Sequence, residues 1–197
     1  MSIKSLYRLS ALAGLLSGLC IIIGKLTIPL PNRQIGEIID FFSPLFALLF
    51  AVGLYLRQRR ESGVFGGVAF IILFMGLATV VSLDYIGAFV DPYLPEGMVD
   101  QILEGPTGAV AATSGLTFIF GEILFGISVI RARLFSKIAS VLFMVGMFFV
   151  PLGGVFPEIL VIIGSIIAGV GLIWWSIELY KLAGIPPVHR LGNPALD

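Results

Sequence analysis

Six apolar stretches, at about 5–28, 35–57, 62–90, 107–131, 135–152 and 157–182, limit what this chain can fold into more tightly than any other feature. A hydrocarbon layer about 30 Å thick is crossed by roughly 20 helical residues. Five stretches reach that length, and the fifth in order, stopped by Pro151 and Gly153-Gly154, nearly does. Lipid offers no partner to backbone N–H and C=O groups, so a chain that does not close into a barrel crosses it as α-helix. The expectation is an all-α, polytopic transmembrane bundle of six helices within residues 1–184, with both termini cytoplasmic and a cytoplasmic tail at 185–197.

Composition agrees. The chain is 58% hydrophobic and 12% charged, with a mean hydropathy of +1.07. A soluble domain of 197 residues has too much surface for its volume to hide that much apolar area. The first apolar run continues past Cys20 through Ile21-Ile22-Ile23-Gly24, too long for a signal-peptide core, and is expected to stay as a helix. Net charge is zero, so no basic field for nucleic acid exists. Cys20 is the sole cysteine and His189 the sole histidine. These exclude an internal disulfide, a Cys-ligated cluster and a Cys-rich zinc site. No cofactor and no metal site is expected.

Orientation comes from the basic residues. Ten of the twelve fall on one side: Lys4, Arg8, Arg57, Arg59, Arg60, Arg131, Arg133, Lys137, Lys181 and Arg190. Only Lys25 and Arg33 lie on the other, which makes the first side cytoplasmic. The opposite side carries a connection, 91–106, in which Met98, Val99, Ile102 and Leu103 share a face. A short amphipathic helix at about 95–104, lying at the outer interface, is expected there. Gly14-xxx-Gly18, Gly63-xxx-Gly67 and Gly164-xxx-Ala168 are small-residue pairs of the kind that lets membrane helices approach closely. Pro44 removes a backbone hydrogen bond inside the second helix and predicts a kink.

An ionisable group inside a membrane helix is expensive and marks a candidate site. Glu122, in Phe118-Ile-Phe-Gly-Glu122, lies nine residues before Arg131, roughly 14 Å along the helix. That is close to mid-membrane. Gly108, Ala111, Gly115 and Gly126 recur on its face, so the carboxyl points at another helix or a cavity rather than at lipid. Without a partner, burial there favours its neutral form. Ser114 and Thr117 are the hydroxyls nearest on the outer side, and with Glu122 they form the candidate proton or cation site. The alternative is a carboxyl that merely hydrogen-bonds across a helix interface. A second, outer polar cluster comprises Lys25, Asp40, Asp84 and Asp91. Lys25 pairs with Asp40 or Asp84, while Asp84 and Asp91, seven apart, share a helical face. Glu178 lies near the cytoplasmic end of the last helix and can snorkel.

Enzymatic chemistry lacks its parts. Thr113-Ser114-Gly115 has a serine beside a glycine but no membrane histidine to act as base. No phosphate-cradling glycine loop and no zinc spacing occurs.

The segments Ser5-Leu-Tyr7-Arg8-Leu-Ser-Ala-Leu-Ala-Gly14, Leu54-Tyr-Leu-Arg57-Gln-Arg59, Leu124-Phe-Gly126-Ile-Ser-Val-Ile-Arg131-Ala and Lys137-Ile-Ala-Ser-Val-Leu-Phe-Met-Val-Gly146 resemble those of a loose group of small bacterial membrane proteins with six to seven helices. The resemblance implies a multi-pass topology in the bacterial cytoplasmic (inner) membrane and no particular activity. Relatives of this kind often carry His-Pro after the first helix, where this chain has Ile28-Pro29. Two functions stay open, and the expectation is the first, with the second as the alternative. One is a non-enzymatic subunit or scaffold acting through lipid and helix contacts, as a homo-oligomer or within a larger membrane complex. The other is a small proton- or cation-coupled transporter or channel using Glu122. A carrier needs a polar path to Glu122, and along its own helix only Ser114, Thr113 and Thr117 offer one.

Overall fold

Ser2 sets the first helix, α1 (Ile3–Leu26). Its hydroxyl accepts the Ser5 N–H at 3.2 Å, satisfying a first-turn donor that has no partner within the helix. Thr27 closes α1 by donating to the Gly24 carbonyl at 2.6 Å. The structure is a computed structural model describing residues 2–31, 33–95, 97–151 and 155–185. The expected tail from 186 onward, with His189 and Arg190, and the Gly153-Gly154 stop lie outside the described residues.

The second and third expected segments form one element, α2 (Arg33–Phe89), and the chain does not leave the helix at its three arginines. It turns back at Gly63 alone, whose φ of 58° and ψ of −151° are non-helical. That region of backbone space is essentially reserved for glycine. The two arms run antiparallel on either side of it, with Tyr55 stacked on Phe70 at 4.5 Å and Phe41 edge-on to Phe89 at 5.2 Å. Gly63-xxx-Gly67 is therefore a turn and not a helix-packing pair. A 3-10 turn (Asp91–Tyr93) and α3 (Met98–Leu103) lead to α4 (Pro106–Ala132). Pro106 suits the first helical position because the missing N–H has no partner there anyway. Then come α5 (Lys137–Phe149), capped by Ser136, and α6 (Glu158–Leu182). No strand occurs among the described residues.

The helices close a ring. The first arm of α2 packs on α1, α1 on α6, α6 on α5, and α4 returns to the second arm of α2; the seam between α4 and α5 is the thinnest. Small residues bring the backbones together. A Cβ on Gly18 would lie 2.8 Å from the Gly169 carbonyl oxygen, and one on Gly76 would lie 2.5 Å from Phe118 Cα. Gly164 and Ala168 serve as expected, facing Gly146 of α5. Gly63 is the only non-helical residue within α2, so the chain keeps helical dihedrals through Pro44.

Polarity is distributed inside out. The outer faces carry Leu9, Leu12 and Leu16 on α1, Val68, Ile71 and Met75 on α2, and Ile159, Ile163 and Ile166 on α6, all exposed. The interior holds Ser10, Ser17, Ser43, Gln58, Glu122, Ser128 and Ser165. Helices α1, α2, α4 and α6 are long and apolar enough to cross a membrane, whereas α5 has only 13 residues. Residues 135–152 thus give a shorter helix than expected, which starts after the Ser136 cap and ends at Phe149, just ahead of Pro151. The expected interfacial helix at 95–104 is the six-residue α3, packed against the start of α4, with Met98, Ile102 and Leu103 still exposed.

Candidate functional site

The ring encloses a cavity of about 310 Å³. From α4 its wall receives Ala111, Gly115, Phe118, Glu122 and Phe125, spaced four, three, four and three residues apart. That stripe is one helical face, and its glycine and alanine leave the space that larger residues would fill. Ser17, Ile21 and Lys25 of α1 line the cavity, as do Asp40, Ser43 and Pro44 of the first α2 arm and Leu77, Val80 and Asp84 of the second. Phe143 of α5 and Trp175 of α6 complete it at the end nearer Gly63. From Ala111 to Glu122 the wall runs eleven residues, or about 16 Å.

Charge is arranged along this length. At the end away from Gly63, Lys25 Nζ is 2.5 Å from Asp40 Oδ2, with side-chain exposures of 24% and 15%. Asp84 is near enough for its charge to act on Lys25 and for the charges of Lys25 and Asp40 to act on it. Farther in, Ser43 donates to the Ser17 carbonyl at 3.1 Å, with the two hydroxyl oxygens 3.3 Å apart. Glu122 is 2% exposed. Neither a neighbouring charge nor a hydrogen bond acts on its carboxyl among the described residues; burial alone does.

The two candidate clusters therefore share one cavity, but not with all their members. Of the first, Glu122 lines it, while Ser114 and Thr117 do not. Thr117 donates to the Thr113 carbonyl one turn back on its own helix, at 2.8 Å, and Ser114 is buried away from the cavity. The hydroxyls of the wall are instead Ser17 and Ser43, on other helices. Of the second cluster, Lys25, Asp40 and Asp84 line the cavity and Lys25 selects Asp40. Asp91 does not join them, because α2 ends at Phe89 and Asp91 starts the 3-10 turn, where a seven-residue helical repeat no longer applies.

Beyond the aromatic end lies a second polar group that sequence reasoning missed. Gln58 is fully buried, and among the described residues both its amide atoms lack a protein partner, as do the Ser62 and Ser128 hydroxyls and Trp175 Nε1. Gly66 brings Ser62 and Ser128 together, since a Cβ there would meet both hydroxyls. A glutamine between Arg57 and Arg59 passes for part of a cytoplasmic loop unless the helix is known to continue through it. Glu178 has a structural job: Oε2 accepts the Ser136 N–H at 2.9 Å and Oε1 the Trp174 indole N–H at 3.1 Å. It thereby ties the start of α5 to α6.

Among the described residues no cluster of three or more His, Cys, Asp or Glu side chains is able to hold a metal ion. Comparisons of the chain with protein families, curated proteins and solved structures give no match.

Proposed function

We propose that the protein is a multi-pass carrier or channel of the bacterial cytoplasmic membrane, with both termini cytoplasmic, that takes up a proton or another monovalent cation at Glu122. The inside-out polarity supports a bilayer as its solvent: leucine and isoleucine face outward, serine, glutamine and glutamate inward. The basic residues gathered at the Gly63 end support the orientation. One observation carries the transport reading. A carboxyl with no charged or hydrogen-bonding neighbour among the described residues forms part of the wall of a cavity that runs to a partly exposed ion pair. A packed scaffold has no use for such a space, and a carboxyl serving as helix glue has a partner.

Flux of protons and alkali cations into liposomes, for the wild type and Glu122→Gln, tests the proposal. The expected result is a gradient-driven flux that Gln abolishes while the protein stays folded. Absence of flux from wild-type protein under both proton and cation gradients overturns it. The chain would then be a subunit or scaffold that works through its exposed apolar faces, as a homo-oligomer or in a larger complex.

A further inference from the structure

We propose that the cavity takes a small organic cation with an apolar body, of the alkyl- or arylammonium class, whose charged head sits against Glu122. The inference rests on Glu122 being the cation-binding group and adds the class of cargo. Size comes first. A cavity of about 310 Å³ is at the lower end of the ~300–1,000 Å³ typical of small-molecule sites, and far exceeds what a bare proton or metal ion needs.

The wall then decides the chemistry. A hard inorganic cation wants six or more oxygen ligands converging on it. Here Ser43 is already bonded to Ser17, and most of the remaining surface is hydrocarbon, including the aromatic rings of Phe50, Phe118, Phe125 and Trp175. Aromatic faces attract an organic cation while also burying its apolar body.

Charge excludes the other classes. Three carboxyls, Asp40, Asp84 and Glu122, face one ammonium, Lys25, and that ammonium is committed to Asp40. An anion would find no uncommitted cation among the described residues of the wall. A purely apolar guest would leave the Glu122 carboxyl without a partner, which costs free energy. Helices α5 and α6 add no titratable side chain to the wall, so nothing from that side offsets the excess.

The test uses the full-length protein in lipid nanodiscs and radiolabelled benzyltrimethylammonium, with empty nanodiscs as background. Saturable binding is expected, weakened at least about tenfold in Glu122→Gln and less in Glu122→Asp, because one close charge pair in a partly desolvated site is worth that much. Asp84→Asn, at the Lys25–Asp40 end of the cavity, is expected to weaken it a few-fold with thermal stability retained. Neopentylbenzene, the neutral carbon isostere, and benzenesulfonate should compete poorly. No saturable binding by the wild type, or competition by neopentylbenzene as strong as by the unlabelled ammonium, overturns the proposal. So does undiminished binding in a folded Glu122→Gln. The two readings fail separately. Proton flux that needs Glu122, without ammonium binding, removes only the cargo class; ammonium binding without any flux keeps the class and removes transport.

Discussion

Lys25 at the end of α1 is ion-paired with Asp40 in the first arm of α2, at 2.5 Å, and this contact spends the one cation that the described residues bring to the cavity wall on one of their three carboxyls. Side-chain exposures of 24% and 15% place the pair between a surface and a buried bridge. Lys25→Met leaves Asp40 and Asp84 facing each other, and we expect a loss of about 1–3 kcal/mol, below the ~3–5 kcal/mol of a fully buried pair. The double variant Lys25→Met/Asp40→Leu removes the stranded charge and is expected to recover at least half of that. A double-mutant cycle by denaturant unfolding in detergent micelles measures both; equal stability of all four proteins would show the pair to be energetically idle.

Gly63 predicts a cost of a different kind. At φ 58° and ψ −151°, a Cβ meets nothing within 4 Å, so any penalty for Gly63→Ala comes from backbone conformation alone. That penalty is expected at about 1–3 kcal/mol. Gly87, also with open space around it but inside the helix, is the control. Gly87→Ala should be neutral or stabilising by up to ~1 kcal/mol. Thermal melts of the two variants should move apart; a common shift would contradict the assigned backbone of Gly63.

The same two glycines mark what the chain discloses on inspection and what it withholds. Six long apolar runs are readable because hydropathy and length are local properties, and the helices follow them within a few residues, apart from the shorter α5. Gly63-xxx-Gly67 has the spacing of a packing pair, but spacing is silent about φ. Glu122 and the Lys25–Asp40–Asp84 group stand out as charges among hydrocarbon. Their union in one cavity depends on which face of α4 meets α1 and α2, and no single helix encodes that. The hydroxyls assigned to Glu122 came from its own helix, where Thr117 is satisfied by the Thr113 carbonyl. The hydroxyls that line the cavity with it, Ser17 and Ser43, are some eighty residues or more away in sequence. Gln58 was hidden by the arginines on either side of it.

Gly121 is beside Glu122 in sequence and controls how closely α4 approaches α2. A Cβ there would fall 2.6 Å from both Leu73 N and Leu73 Cα, and backbone atoms of a packed helix cannot step aside. Gly121→Val is expected to cost about 1–3 kcal/mol or more through overpacking, and to lose flux although Glu122 is untouched. Gly126→Ala is the contrast. Its Cβ meets only the side chain of Met144, which is flexible enough to yield, so a shift below about 1 kcal/mol is expected. Unfolding midpoints with parallel flux assays test the pair, and equal penalties would contradict the α2–α4 crossing.

Gln58 offers the clearest separation of stability from function. Its side chain is 0% exposed, and neither amide atom has a protein partner. A buried polar group left unsatisfied costs about 1–3 kcal/mol, and an apolar group of the same shape avoids that cost. Leucine is close in volume, so Gln58→Leu is expected to raise stability by about 1–2 kcal/mol if the amide is truly unpaired. The transport proposed above gives such a residue a use on the route beyond the cavity. Ser62 and Ser128 are equally unpartnered among the described residues, so Gln58 belongs to a buried polar group outside the cavity wall, toward the arginine-bearing end. The expected outcome is therefore a higher melting temperature together with reduced flux. A higher melting temperature with full flux would make Gln58 a tolerated defect of the bundle, and a lower one would mean that the amide is bonded after all.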